Sequence, residues 1–156
     1  LGVILEEATG KTVSNYLQEK LWEPIGAEYN ASWSLDKKGG REKSFCCINA
    51  RARDFAKFGK LYLQMGAWEG HQVIPKEWIS HSVEIHADTK DRFYQYQWWL
   101  EPEHTEINSR TSYMAQGILG QFIYVNPEKN TIIVRLGKNW GKINWRMVFS
   151  NISKAI

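Results

Sequence analysis

The stretch TSYMAQGILGQFIYVNPEKNTIIVRL, residues 111–136, decides the fold class of this chain. It contains three β-prone runs, and the polar segment Asn-Pro-Glu-Lys-Asn at 126–130 separates the last two. Branched and aromatic residues favour strands, and a short polar segment with proline and asparagine favours a tight connection between them. The pattern predicts consecutive antiparallel strands at residues 111–118, 121–125 and 131–136.

Upstream of these strands, apolar residues recur at helical spacing. Gly10 suits the position after a first helix, Thr12 suits the N-cap of a second helix, and Pro24 ends that second helix. Asn49 is a good N-cap for a third helix that stops at Gly66. The apolar stripe of this third helix comprises Ile48, Ala52, Phe55, Ala56, Gly59, Tyr62 and Leu63.

The remaining segments complete the expected order of elements. Residues 75–83 suit a helix that opens with a proline, whereas residues 26–44 and 86–92 are expected to be irregular. Residues 93–100 form a further aromatic, β-prone run, so three or four antiparallel strands are expected. Residues 144–156 return to helical spacing. The residues expected to pack this last helix on one face of the sheet are Trp145, Val148, Phe149 and Ile152.

A chain of 156 residues is long enough for one compact domain with a sizeable core. Apolar residues make up 43% and charged residues 24%, which excludes a disordered or collagen-like chain. The net charge of +3 is too small and too scattered for a nucleic-acid footprint, so no nucleic-acid partner is expected. We predict an α+β fold in which residues 1–92 are mainly helical and residues 93–156 form antiparallel strands and a closing helix.

Two adjacent cysteines, Cys46 and Cys47, account for all the cysteine in the sequence. Neighbouring residues do not easily reach ordinary disulfide geometry, so we expect unbonded, buried thiols between Phe45 and Ile48. No run approaches the roughly 20 apolar residues of a membrane-spanning helix, and no secretory leader is recognisable. No membrane span is therefore expected.

Two further patterns suggest chemistry but do not fit their context. The four histidines, at positions 71, 81, 86 and 104, have no partners at metal-ligand spacing, so no metal or other cofactor is expected. Ser34-Leu35-Asp36-Lys37 matches S-x-x-K, in which a lysine one helical turn on activates a serine. Because Lys38-Gly39-Gly40 follows, a stable helix is not favoured, and we interpret this match as chance.

The strand end Gln116-Gly117-Ile118 is the remaining candidate site. Glycine at position 117 lets the backbone approach a ligand closely, and the N–H that follows can then point into a cleft as an oxyanion donor. A second glycine, at position 120, makes a hairpin with a tight turn an equally good explanation.

Four segments share a family pattern, in the family's order along the chain: Leu1-Gly2-Val3-Ile4-Leu5, Glu23-Pro24-Ile25-Gly26, Ala52-Arg53-Asp54-Phe55-Ala56-Lys57-Phe58-Gly59 and Gly117-Ile118-Leu119-Gly120-Gln121. They resemble the serine β-lactamase-related family, which includes class C β-lactamases, penicillin-binding proteins, esterases and 6-aminohexanoate-dimer hydrolase. The similarity spans almost the whole chain but corresponds only to the back half of such a protein. The resemblance therefore implies the C-terminal part of a β-lactamase/transpeptidase-like fold.

The resemblance also implies a site on the strand Ala115-Gln116-Gly117. In the family this strand carries a Lys-Thr-Gly or His-x-Gly motif, and the N–H after its glycine, here that of Ile118, completes the oxyanion hole. Ala115 stands in place of the lysine or histidine, which argues against recognition of a β-lactam carboxylate. The family's catalytic serine and lysine, in S-x-x-K, and its tyrosine would precede Leu1.

These observations lead to one expected function and one alternative. We expect a fragment of a serine hydrolase for a small-molecule amide or ester, inactive alone, with Gly117 and Ile118 in the oxyanion strand and Gln116 near the substrate. The aromatic residues that either line the acyl-binding cleft or pack in the core are Tyr113, Trp98 and Trp99. The alternative is a non-catalytic β-lactamase-like binding or structural protein.

Two further expectations concern the location and the association of the fragment. By its resemblance, the chain belongs in the periplasm or the cell envelope. A domain cut at Leu1 would leave apolar helix faces and a sheet edge uncovered, and such surfaces favour association. The isolated fragment is therefore expected to be marginally stable or to self-associate.

Overall fold

The computed structural model describes residues 1–85, 93–101 and 111–156. The expected loop at 86–92 and His104 lie outside these residues. The helices are α1 (Gly2–Thr9), α2 (Val13–Leu17, continued by a π-helical segment at Gln18–Trp22), α3 (Ala52–Leu63), α4 (Lys76–Val83) and α5 (Trp145–Ala155). The strands are β1 (Ser32–Trp33), β2 (Ile48–Asn49), β3 (Ala67–Trp68), β4 (His71–Gln72), β5 (Tyr94–Gln95), β6 (Trp98–Leu100), β7 (Tyr113–Gly117), β8 (Gln121–Asn126) and β9 (Thr131–Arg135).

The main sheet has five strands in the order β5-β6-β7-β8-β9, and every neighbouring pair is antiparallel. Two small hairpins, β1–β2 and β3–β4, lie within the mainly helical first part. Helices precede the sheet and α5 follows it, which confirms the predicted α+β order. The strand directions also confirm the expected antiparallel meander.

Local signals set three helix ends, and the sequence analysis predicts the first two of them, at Gly10 and Thr12. Gly10 follows α1 with a φ of 66°, a left-handed conformation that glycine adopts at little cost. The Thr12 hydroxyl accepts a hydrogen bond from the Asn15 N–H at 3.2 Å and so caps α2. The Asn144 side chain caps α5 in the same way, because it accepts a hydrogen bond from the Met147 N–H at 3.2 Å.

The structure corrects the predicted start of α3. This helix begins at Ala52, and the two residues of β2, Ile48–Asn49, pair with β1 instead. Arg51 therefore occupies the N-cap position that was assigned to Asn49. The sequence pattern missed this because Ile48 has the spacing of the apolar stripe, whereas the strand pairing depends on a segment that is distant along the chain.

Residues 93–100 form the hairpin β5–β6 rather than one continuous strand. Tyr96 and Gln97 join the two strands with φ values of 45° and 71°. Turns of this left-handed type are usually marked by asparagine, aspartate or glycine. The sequence therefore carried no signal for this turn, and the sheet has one strand more than the largest number expected.

One face of the main sheet packs against α3 and α4. Gly59 of α3 approaches β8 and β9 so closely that a Cβ atom at this position would lie 3.0 Å from Ile123 Cγ2 and 2.9 Å from Ile132 Cγ2. Glycine at 59 therefore sets the close spacing between helix and sheet. The buried residues of this layer are Tyr62, Ile79, Val83, Ile85, Trp98, Leu100, Tyr113 and Val125.

The opposite face of the sheet packs against α5. The buried apolar residues here are Met114, Phe122, Tyr124 and Phe149, with Trp145 packed against them. The Ser153 hydroxyl accepts a hydrogen bond from the Asn126 side-chain amide at 3.0 Å. Ile152, which was expected to pack on the sheet, is 43% exposed. The adjacent Ser153 takes the buried position because Asn126 offers it a polar partner, so this part of the prediction was wrong.

Cys46 and Cys47 form a disulfide bond, contrary to the expectation of unbonded thiols. Both residues are half-buried rather than buried, and they lie in the connection between β1 and β2. The prediction was wrong because ring closure between neighbours depends on the backbone shape of that connection. Cys47 there adopts a left-handed φ of 80°.

Glu42 ties the β1–β2 connection to the start of α2. Its Oε1 accepts a hydrogen bond from the Ser14 N–H at 3.0 Å. Burial acts to raise the pKa of this carboxyl, but hydrogen bonds from Ser14 and Thr12 outweigh that effect. The pKa of Glu42 is therefore lowered from its ordinary value of 4.5.

Acid should weaken the fold through Glu42. A carboxyl with a lower pKa in the folded chain stabilises it above the unfolded pKa and loses that contribution as the pH falls through the folded pKa. In urea unfolding from about pH 6 to about pH 3, Glu42→Gln should lower the free energy of unfolding at the higher pH, and this deficit should shrink below about pH 4.5. Glu128→Gln, at an exposed turn, is the control. A deficit that stays constant with pH would contradict the expectation.

Candidate active site

The candidate site lies where β7 ends and turns into β8. Gly117 is the last residue of β7 and pairs with Gln121, the first residue of β8. Ile118, Leu119 and Gly120 form the three-residue turn between them, and the last two have φ values of 60° and 78°. The end of β7 is therefore also the start of a tight hairpin turn. The two interpretations of Gly117, a strand end with a backbone donor and a hairpin with a tight turn, are compatible.

Side chains of β8 and β9 hold this turn in place. The Arg135 guanidinium donates hydrogen bonds to the carbonyl oxygens of Gly120 and, at 3.2 Å, of Asn139. The Gln121 amide donates to the Gly137 carbonyl at 2.5 Å and accepts from the Gly137 N–H at 3.0 Å. Arg135 is itself supported by the Trp145 ring, whose centroid lies 3.8 Å from its Cζ. The turn thus has a fixed shape.

The Ile118 N–H is the group at this turn that could act as a hydrogen-bond donor to a substrate. Ile118 lies beyond the last register pair of the β7–β8 ladder, Gly117 with Gln121, so strand pairing does not use this N–H. Gln116, Gly117, Ile118 and Leu119 are all exposed. A backbone N–H held rigidly at an accessible strand end can donate to an oxygen on which negative charge develops.

The aromatic candidates do not converge on this turn. Tyr113 and Trp98 are 0% and 3% exposed, and their rings meet edge to face at 5.2 Å in the layer beneath α3. Trp99 points to the opposite face, where its ring lies 4.9 Å from that of Tyr94. Core packing, one of the two alternatives left open for these residues, describes the positions of Tyr113 and Trp98.

Gln116 belongs to a different face from Tyr113. It pairs with Phe122 across the ladder and so shares the face covered by α5, but at the strand end its side chain is exposed. No pattern in the sequence indicates the supporting residues Arg135 and Gln121. Their side chains act across strands, and only the register of β8 and β9 brings them to the turn.

Comparisons with known proteins reveal two relatives of similar description. The 6-aminohexanoate-dimer hydrolase of Paenarthrobacter ureafaciens is 26% identical over 147 residues, covering 87% of this chain and 36% of that protein. A solved structure from Bacillus anthracis, assigned provisionally as a 6-aminohexanoate-dimer hydrolase, matches with a TM-score of 0.81 and 27% identity over 99% of this chain and 40% of its own. These matches fit the predicted C-terminal part of a serine β-lactamase-related protein.

A more distant structure supports the same fold. A protein from Bacteroides dorei DSM 17855, assigned provisionally as a β-lactamase, matches with a TM-score of 0.65 at 15% identity, covering 90% of this chain and 49% of its own. The chain therefore spans between about a third and a half of the length of these serine β-lactamase-related proteins. No family model matches the chain.

Serine β-lactamase-related hydrolases take their nucleophile from S-x-x-K at a helix start, and Ser34–Lys37 lacks that setting. The Ser34 N–H donates to the Cys47 carbonyl at 3.1 Å, and the Ser34 carbonyl accepts from the Lys43 N–H at 3.0 Å. Leu35 forms a bridge with Glu42 in the same hairpin. Ser34 and Leu35 therefore belong to a hairpin, Asp36 and Lys37 form bends, and no helix places the lysine one turn beyond the serine.

The histidines in the described part of the chain lie apart from the β7–β8 turn. His71 is exposed on β4, and His81 Nε2 lies 2.8 Å from the Tyr96 hydroxyl. Within residues 1–85, 93–101 and 111–156, no group of three or more His, Cys, Asp or Glu side chains is arranged to hold a metal ion. In that same part of the chain, no helix is both long and apolar enough to cross a membrane.

Proposed function

We propose that this chain is part of a serine hydrolase that cleaves a small amide, and that it supplies one donor of the oxyanion hole. The observation that carries the proposal is the β7–β8 turn, in which Arg135 and Gln121 fix the exposed Ile118 N–H outside the strand ladder. The similarity to 6-aminohexanoate-dimer hydrolase supports a hydrolase.

In the proposed reaction, a serine supplied by another part of the hydrolase attacks the carbonyl carbon of the amide. Negative charge develops on the carbonyl oxygen as that carbon becomes tetrahedral, and the Ile118 N–H donates a hydrogen bond to this oxygen. Because the donor is already fixed by the turn, no reorganisation is needed during the reaction. One such donor contributes about 3–4 kcal/mol to the stability of the transition state.

The residues before Ile118 favour a substrate without a carboxylate at this position. Ala115 has no cation to pair with a carboxylate such as that of a β-lactam. Gln116 is exposed at the strand end and can hydrogen-bond an amide N–H or C=O. In the linear dimer of 6-aminohexanoate, a chain of methylene groups separates the terminal carboxylate from the amide, so this substrate needs no cation beside the amide.

Hydrolysis assays test the proposal. We expect the 156-residue chain alone to hydrolyse neither nitrocefin nor p-nitrophenyl acetate, because it provides a donor without a nucleophile. The hydrolase that contains it should release 6-aminohexanoate from the dimer, and a serine-directed acylating inhibitor should abolish this release. Inhibitor-sensitive turnover by the chain alone would contradict the proposed division of roles. Inactivity of the whole protein on amides and esters would favour the non-catalytic alternative.

A further inference from the structure

The Cys46–Cys47 disulfide contributes little to global stability. A disulfide stabilises a fold by restricting the unfolded chain, and this effect grows with the number of residues that it encloses. Here the bonded residues are adjacent, so no residue lies between them. The effect of the bond must therefore be local, on the connection between β1 and β2.

The two bonded residues hold the β1–β2 hairpin through their carbonyl groups. The Cys46 carbonyl accepts a hydrogen bond from the Trp33 indole N–H at 2.7 Å. The Cys47 carbonyl accepts hydrogen bonds from the Ser34 N–H at 3.1 Å and from the Asn49 side-chain amide at 3.3 Å. These carbonyls therefore contribute three hydrogen bonds to the hairpin, beside the pairing of β1 with β2.

Cys47 holds its carbonyl in place in a conformation that a residue with a side chain rarely adopts. Its φ is 80°, in the left-handed region that favours glycine. The covalent ring ties the Cys47 side chain to Cys46, so the residue cannot relax while the bond is intact. Breaking the bond frees it to return to a negative φ, which turns the Cys47 carbonyl away from Ser34.

The hairpin forms one wall of a cleft. Trp33 and Ile48 face Leu17 and Gln18 of the α2 region across a cavity of about 450 Å³. Cys46 and Cys47 are half-buried rather than buried, so part of each residue is in contact with solvent. Accessible disulfides are the ones that exchange readily with thiols.

We propose that Cys46–Cys47 is a reversible thiol–disulfide site that controls the β1–β2 hairpin and the cleft wall that it forms. A thiolate of a dithiol reductant attacks one cysteine sulfur, the Cys46–Cys47 bond breaks, and a mixed disulfide forms. The second thiol of the reductant then displaces the protein sulfur. The two electrons reduce both cysteines to thiols, each of which takes up a proton, and the reductant leaves as its own disulfide.

Hydrogen exchange measured by mass spectrometry tests this proposal on the protein equilibrated in glutathione buffers or reduced with dithiothreitol. We expect iodoacetamide to label the cysteines only after reduction. Reduction should increase amide exchange in peptides covering residues 32–49 several-fold and leave peptides of β8 unchanged. Failure of the disulfide to form in glutathione disulfide, or equal exchange at 32–49 in the two forms, would overturn the proposal.

Two variants separate the bond from the backbone conformation. Cys47→Gly removes the disulfide but accepts a φ of 80° readily, so its exchange at 32–49 should stay close to that of the oxidised protein. The double variant Cys46→Ser with Cys47→Ser should exchange like the reduced protein. Neither variant can form the Cys46–Cys47 bond. Prepared without glutathione, so that Cys46 carries no adduct, neither should change its exchange at 32–49 when dithiothreitol is added. A response of Cys47→Gly to the reductant would count against the proposal.

Discussion

Replacing Ile118 with proline is expected to lower kcat for amide hydrolysis by about 10²–10³-fold in the hydrolase that contains this chain. Proline removes the backbone N–H that is proposed to donate to the oxyanion, together with the isoleucine side chain. Gly117, the residue before it, is extended with φ −109° and ψ 171°, which is the conformation that proline favours in the preceding residue. Steady-state kinetics on the 6-aminohexanoate dimer measure the effect.

Ile118→Ala is the matched control. It removes the exposed side chain but keeps the N–H, so its kcat should remain within a few-fold of the wild-type value. Circular dichroism and the midpoint of thermal unfolding should be alike for the two variants, since the turn is held by Arg135 and Gln121. If the proline variant is as active as the alanine variant, the Ile118 N–H is not an oxyanion donor.

Trp98→Ala is expected to lower the free energy of unfolding by about 3–5 kcal/mol. Trp98 is 3% exposed, and its ring lies 4.5 Å from Tyr62, 5.2 Å from Tyr113 and 6.0 Å from Phe58. The substitution removes these contacts and leaves a cavity in a layer that cannot collapse fully. Urea unfolding measures the loss, which is a large fraction of the stability of an ordinary domain.

Trp78→Ala provides the comparison at an exposed tryptophan. Trp78 is 46% exposed on α4, so its replacement should cost about 1 kcal/mol or less. The pair of variants also distinguishes core packing from substrate contact at Trp98. A stable Trp98→Ala protein with a raised KM would show that this ring lines the acyl-binding cleft.

Local rules predicted several parts of the fold correctly. The cap at Thr12 depends on one side chain and the next three residues, so it can be read from the sequence. The strands β8 and β9 combine branched and aromatic residues with a polar turn at 126–130, and the structure joins them there. In each case the deciding contacts lie within a few residues along the chain.

The incorrect predictions concern segments whose structure depends on distant contacts, or on turns that no asparagine, aspartate or glycine indicates. Ile48–Asn49 became a strand because β1 lies beside it. Tyr96 and Gln97 make a left-handed turn that their side chains do not signal. The bond between Cys46 and Cys47 likewise depends on the path of the backbone between β1 and β2.

At the candidate site, the motif can be read from the sequence, whereas the geometry of the turn depends on contacts between residues that are distant along the chain. Gly117 could be singled out as a glycine at a predicted strand end, and the family resemblance assigns the oxyanion donor to the N–H of Ile118, which follows it. The support from Arg135 could not, because strand register brings its side chain to the carbonyl of Gly120. For Tyr113 and Trp98, the sequence does not distinguish a position in a cleft from a position in the core. Only the packing of α3 and α4 against the sheet decides that these two rings are buried.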